Sequence, residues 1–313
     1  MGGMPRLGFP LLASATALVA WALVAVGGVV RITESGLGCP DWPLCHGGLP
    51  PDRKQPLIES SHRGVAALVT VLALATAVWA WRRYRARPDV LWPALSAAVL
   101  VPAQALLGAI VVWLELPSWI VGVHFVVGMV FLGTTVVTAV RAWMPEGGLA
   151  ATPAFAATTW AAAAAGFALV SLGAAVVVTH AEEACGTDWP GCNGGFARGG
   201  SLAGVQVAHR SLAYLVAVLA ASLLVLAWRG AAPRLAGAVP VLAVLVQISI
   251  GISLVRAGEA RGAHHPLEIV HVAGAGGVWA ALVGVAALVG PPAVWKERAT
   301  KEQTDWLKPT VWG

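Results

Sequence analysis

Charge is what this sequence has least of. Asp, Glu, Lys and Arg make up 11% of its 313 residues and hydrophobic residues 58%, whereas a soluble domain carries about 25% charged residues. That shortage excludes an ordinary soluble domain and points to the lipid bilayer as the main partner. The net charge of +5 is too small and too dispersed to imply a nucleic-acid partner. The apolar runs lack the polar/apolar alternation of barrel strands, which excludes a β-barrel. No C-x-x-C-H occurs, so thioether attachment of a haem is excluded. The first apolar run has no small-residue cleavage site, and we read it as a retained span. "AGAGG" at 273–277 follows no strand and is not a dinucleotide loop.

Continuous apolar runs of about 20 residues, enough to cross the hydrocarbon core as helices, are what the sequence has in quantity. Eight occur, near 9–30, 60–81, 91–114, 118–140, 153–179, 204–228, 234–255 and 266–290. Lipid offers backbone groups no partner, so each must be helical. Arg82, Arg83, Arg85 and Arg87 crowd the connection between spans 2 and 3. Arg141 follows span 4, Arg229 and Arg234 lie between spans 6 and 7, and Lys296, Arg298, Lys301 and Lys308 mark the tail. By the positive-inside rule both termini are cytoplasmic, and the long loops 31–59 and 180–203 face outward.

The chain also contains itself twice. "CPDWPLC" at 39–45 answers "CGTDWPGC" at 185–192, with Asp41 and Trp42 falling 147 residues before Asp188 and Trp189. His62 and His124 stand at the same offset from His209 and His271. "QALLGAIVV" at 104–112 resembles "QISIGISLV" at 247–255, an offset of 143. The expected fold is therefore an all-α integral membrane protein whose eight transmembrane helices form two parallel-repeat four-helix bundles. The halves are residues 1–145 and 153–290, hinged at the Pro145/Gly147/Gly148 connection, with a tail at 291–313.

Four histidines lie in spans, each within about two turns of the outer end of an even-numbered helix. One such residue is readily a satisfied core histidine; four in matched places point to function. The positive end of a helix dipole disfavours a second positive charge, which keeps an imidazole neutral and able to bind metal. Zinc sites usually gather more ligands, often thiolates. Two histidines per half, from different helices, suit axial ligation of a haem iron within a bundle. Arg63 and Arg210 follow two of them at the boundary, where a guanidinium either meets a propionate or snorkels to headgroups. His46, His180, His264 and His265 have no counterparts and read as solvated. Gln104 and Gln247, each four residues before a glycine, read as interhelical packing and hydrogen bonding.

All four cysteines fall in the outward loops, where disulfides persist. Cys39–Cys45 and Cys185–Cys192 are the economical pairings, each contributing about 2 kcal/mol in the loop-entropy picture. A structural staple is the simpler reading of both; a redox role stays open for Cys39 and Cys45.

"GGVVRITESGLGCPDWP" (27–43), "ESSHRGVAALV" (59–69), "VGVHFVVG" (121–128), "QVAHR" (206–210) and "IVHVAGAG" (269–276) resemble the haem A synthase family, across residues 10–290 or so. The resemblance implies oxidation of the C8 methyl group of haem O to the formyl group of haem A. It implies substrate haem between His62 and His124, a haem b cofactor between His209 and His271, and Glu59 as the catalytic carboxylate. It suggests haem O synthase as a partner and leaves the electron acceptor unknown. The residues agree with the asymmetry: i and i+3 share a helix face, so Glu59 lies beside His62, where the second half has only Gln206. A carboxylate near a haem edge can take a proton or face developing positive charge. Glu59 could instead cap its helix. A two-haem membrane cytochrome explains the histidines but leaves the Glu59/Gln206 difference idle. A parallel-repeat transporter predicts broken spans at mid-membrane.

Overall fold

The computed structural model of the chain describes residues 7–195, 200–257 and 266–290. Eight α-helices long and apolar enough to cross a membrane account for most of them. They are α1 (Gly8–Ile32), α2 (Lys54–Arg83), α3 (Pro88–Trp113), α4 (Ser118–Trp143), α5 (Pro153–Val178), α6 (Ser201–Trp228), α7 (Arg234–Ala257) and α8 (Pro266–Val289). No strand occurs among the described residues; the outer loops hold only isolated bridges, Cys45 with Gly48 and Cys192 with Gly195. The expected tail, its lysines, His264 and His265 lie outside the described residues.

Local chemistry sets several ends. Pro153 opens α5 behind an N-cap, Thr152, whose hydroxyl accepts from the Phe155 N–H. Gly147 and Gly148, between α4 and α5, both have positive φ, 89° and 82°, which glycine adopts without steric cost. Hydropathy places the spans but misses one start. α2 begins at Lys54, six residues before the expected 60, so Glu59 is in its second turn and the N-cap is Arg53.

α1, α2, α3 and α4 pack in a ring, each against the next and α4 back on α1. α5, α6, α7 and α8 make a second ring in the same manner, and α8 also packs on α1 and α4. Indole N–H groups stitch the seam. Trp21 donates to the Ala273 carbonyl at 2.9 Å and Trp279 to that of Met129 at 2.7 Å. At the end where α4 finishes, Arg141 is not in a loop, as the sequence suggests, but inside the helix and 5% exposed. It pairs with Asp89 at 2.7 Å and donates to the Ala287 carbonyl of α8 at 3.2 Å. Asp89 also takes Arg87 at 2.8 Å.

Candidate functional site

Each of the four span histidines rests on a glycine of the helix before its own. A Cβ added at Gly27 (α1) would lie 3.2 Å from Cε1 of His62 (α2), and one at Gly173 (α5) 3.2 Å from Cε1 of His209 (α6). Gly251 (α7) stands to His271 (α8) at the same 3.2 Å, and Gly108 (α3) to His124 (α4) at 3.6 Å. In the three closer cases Nδ1 also approaches, at 3.7 Å. In those three the Cε1–Nδ1 edge faces the neighbouring glycine, and Nδ1 of His271 also lies 3.2 Å from Nε2 of Gln247. His62 on α2 and His124 on α4 belong to the first ring of helices, and His209 on α6 and His271 on α8 to the second. The predicted ligands therefore come together two by two.

Side-chain amides steady the even helices. Gln104 donates to the His124 carbonyl and Gln247 to the His271 carbonyl, both at 2.9 Å. Nδ1 of His62 and of His124 is buried without a hydrogen-bond partner. Among the described residues no three His, Cys, Asp or Glu side chains converge, so each site offers a pair of ligands and no closed cage. Two imidazoles per ring of helices, each seated against a glycine, are residues that could hold a haem iron. The glycines are the residues that sequence reasoning underused: Gly108 and Gly251 were visible through the matched Gln, Gly27 and Gly173 were not.

Both predicted disulfides are formed, Cys39–Cys45 and Cys185–Cys192, and all four cysteines are buried. Each closes a small turn that an aspartate organises. Asp41 accepts from the backbone of His46 at 2.5 Å and of Gly47 at 2.6 Å, and Asp188 from that of Gly194 at 2.9 Å. The Gly47 bond above all, with that of His46, holds the Asp41 carboxyl below the usual range. His46 is exposed, as expected, but its Nε2 lies 3.0 Å from the Gly38 carbonyl oxygen.

Arg63 reaches up from α2 into the first loop. Its Nη2 donates to the Cys39 carbonyl at 2.9 Å and to Glu59 Oε1 at 2.6 Å. Nη1 donates to the carbonyl of Asp41 at 2.6 Å and to that of Leu44. Arg210 repeats the motif, donating to the carbonyls of Asp188 at 2.7 Å and Gly191 at 2.5 Å. In both halves the arginine holds the disulfide turn by its carbonyls.

Glu59 is 4% exposed, and its two oxygens point different ways. Oε1 takes Arg63, and Oε2 accepts from the backbone N–H of Cys39 at 2.8 Å. The capping alternative does not survive, because Glu59 lies beyond the first turn. At the matched position Gln206, 7% exposed, donates its amide to the Glu182 carbonyl at 3.0 Å. The direction of the hydrogen bond is reversed between the halves.

Eight helices long and apolar enough to cross a membrane, carrying two like histidine pairs with each ring against a glycine, mark a multi-pass membrane protein. The chain belongs to the cytochrome oxidase assembly protein family, whose model matches residues 11–283. It is 32% identical over 227 residues to the heme A synthase of Shouchella clausii, covering 69% of this chain and 73% of that one. It is 34% identical over 177 residues to the heme A synthase of Halalkalibacterium halodurans, covering 54% of this chain and 58% of that one. A third relative is protoheme IX farnesyltransferase 1 of Natronomonas pharaonis, 38% identical over 134 residues, 43% of this chain and 28% of that protein.

Proposed function

We propose that this chain is a haem A synthase, an oxidoreductase that converts the C8 methyl group of haem O to a formyl group. The relatives named heme A synthase support the activity, and one observation carries its distribution over the chain. The histidine pairs match, but among the described residues only the first has a fully buried carboxylate, Glu59, three residues before a histidine; Glu268, three before His271, is only half-buried. The first half thus takes haem O between His62 and His124, and the second holds haem b between His209 and His271 as two copies of one four-helix plan.

Turning a methyl into a formyl group removes electrons and protons and adds an oxygen atom. A haem b bound in the second half supplies a route for the electrons. Glu59, three residues from His62, is the chain's own group for the protons. Arg63 and the Cys39 N–H hold its charge in place, and a carboxylate so held can accept a proton or face a cationic centre. Gln206 can do neither.

By the positive-inside rule, the disulfide turns lie outside the cell membrane and both termini in the cytoplasm. The farnesyltransferase relative supports docking with the enzyme that makes haem O. The test is expression in a host that supplies haem O, followed by extraction of pigment from the purified protein. Haem A or haem O beside haem b is the expected result. Haem b alone would favour a cytochrome that only passes electrons.

A further inference from the structure

The centre of the first ring contains a small cavity, well to the inner side of the histidines. It is lined by Thr16 of α1, Thr76 of α2, Thr135 and Thr138 of α4, and alanines of α1, α2 and α3. All four threonines are 2–3% exposed. The space open to the centre of a water molecule is about 10 Å³, the lower end of the roughly 10–15 Å³ that one water needs. We propose that this cavity is a binding site for a single water molecule, built into the half assigned to the substrate and left out of the other.

The hydrogen count argues for it. A hydroxyl has one hydrogen to give and two lone pairs. Thr16 donates to the Leu12 carbonyl, Thr76 to that of Leu72, Thr135 to that of Leu132 and Thr138 to that of Thr134, each at 2.8 Å. That uses every hydroxyl hydrogen the four possess. The Thr16 and Thr76 oxygens also lie 3.0 Å apart, where either can be the donor, so five contacts share four hydroxyl hydrogens. The cavity is therefore rich in acceptors and short of donors. A water, with two hydrogens to give, supplies what is missing; an apolar occupant or an empty space does not.

The second ring offers no hydroxyl at the positions that match these four threonines. There it has Ala162, Leu223, Leu282 and Val285, all 0–4% exposed and all in one apolar cluster. Packing efficiency alone would have favoured the same choice twice. The site stands on these contacts and does not depend on which half takes which haem.

The test is a structure of the full-length purified protein at a resolution that shows ordered water. The expected result is one peak within about 3.2 Å of the Thr16 or Thr76 oxygen and of a hydroxyl on α4. A cavity without density would overturn the proposal, and so would a peak with several oxygen contacts near 2.3–2.6 Å, which marks a cation. Thr135→Val gives an independent reading. Removing one acceptor from an occupied site should lower the melting temperature by roughly 2–4 °C with both haem spectra retained. An unchanged or raised melting temperature means a dry cavity.

Discussion

In the first outer loop, Arg63 bonds the carbonyls of Cys39, Asp41 and Leu44 together with the Glu59 carboxylate. In the second, Arg210 bonds the carbonyls of Asp188 and Gly191, and Gln206 donates to Glu182. The loops have the same disulfide, the same aspartate-organised turn and the same arginine. Among their differences is one carboxylate, Glu59, which adds an ion pair to the arginine's bonds to carbonyls. In the function proposed here, the repeated scaffold holds a haem between two histidines in each half, and the carboxylate at Glu59 gives the first half a group able to do chemistry. The core differs in the same sense, with threonine in the first half where the second has alanine, leucine or valine.

The comparison is broken most severely at the histidines. His209→Ala or His271→Ala should abolish the stable b-type spectrum, while His62→Ala or His124→Ala should spare it and stop haem A production. A b-type spectrum lost on His62→Ala and kept on His271→Ala would reverse the assignment of halves.

Next come the arginines. Arg63→Ala leaves the buried Glu59 carboxylate without its charged partner, a change that costs about 3–5 kcal/mol in buried pairs. Arg210→Ala strands no charge. Thermal unfolding of the two variants should therefore differ, with the Arg63 variant the weaker; equal melting temperatures would mean that the ion pair adds nothing.

Removing the first disulfide by Cys39→Ser with Cys45→Ser should cost about 2 kcal/mol and lower the melting temperature. Activity per folded molecule should stay near normal. A well-folded but inactive double variant would assign that pair a redox role.

The smallest effect separates the glycines. A methyl at Gly27 would press on His62 at 3.2 Å, whereas one at Gly108 meets His124 at an ordinary 3.6 Å. Gly27→Ala should thus perturb haem occupancy of the first half, measured by pigment content, and Gly108→Ala should leave it unchanged.

Much of this was legible in the sequence, for physical reasons. Apolar length dictates helices in lipid, and seven of eight starts fall within about three residues of expectation. The start of α2 was hidden because Lys54, Gln55 and Glu59 belong to a helix that projects beyond the hydrocarbon, and hydropathy reports the crossing and not the helix. The histidine pairs and disulfides were visible because the repeat shows each twice. The use of Arg63 and Arg210 was not, since it depends on a loop folding back onto the helix that follows it. Gly27 and Gly173 were equally silent, because a glycine in a span means little until the next helix lays a ring on it. Arg141 looked like a topology marker; only packing reveals Asp89 beside it.

The claim at the centre of this account is that Glu59 makes the first half catalytic. Its most direct measurement is the haem extracted from Glu59→Gln protein made with haem O supplied, beside Gln206→Glu and the double exchange. Both haem sites should still fill in Glu59→Gln. Haem A formation should fall by about 10²–10⁴, the usual worth of a general acid–base group, so that haem O accumulates, and Gln206→Glu should not restore it. Near-normal haem A from Glu59→Gln would contradict the account and leave Glu59 as nothing more than the anchor of its loop.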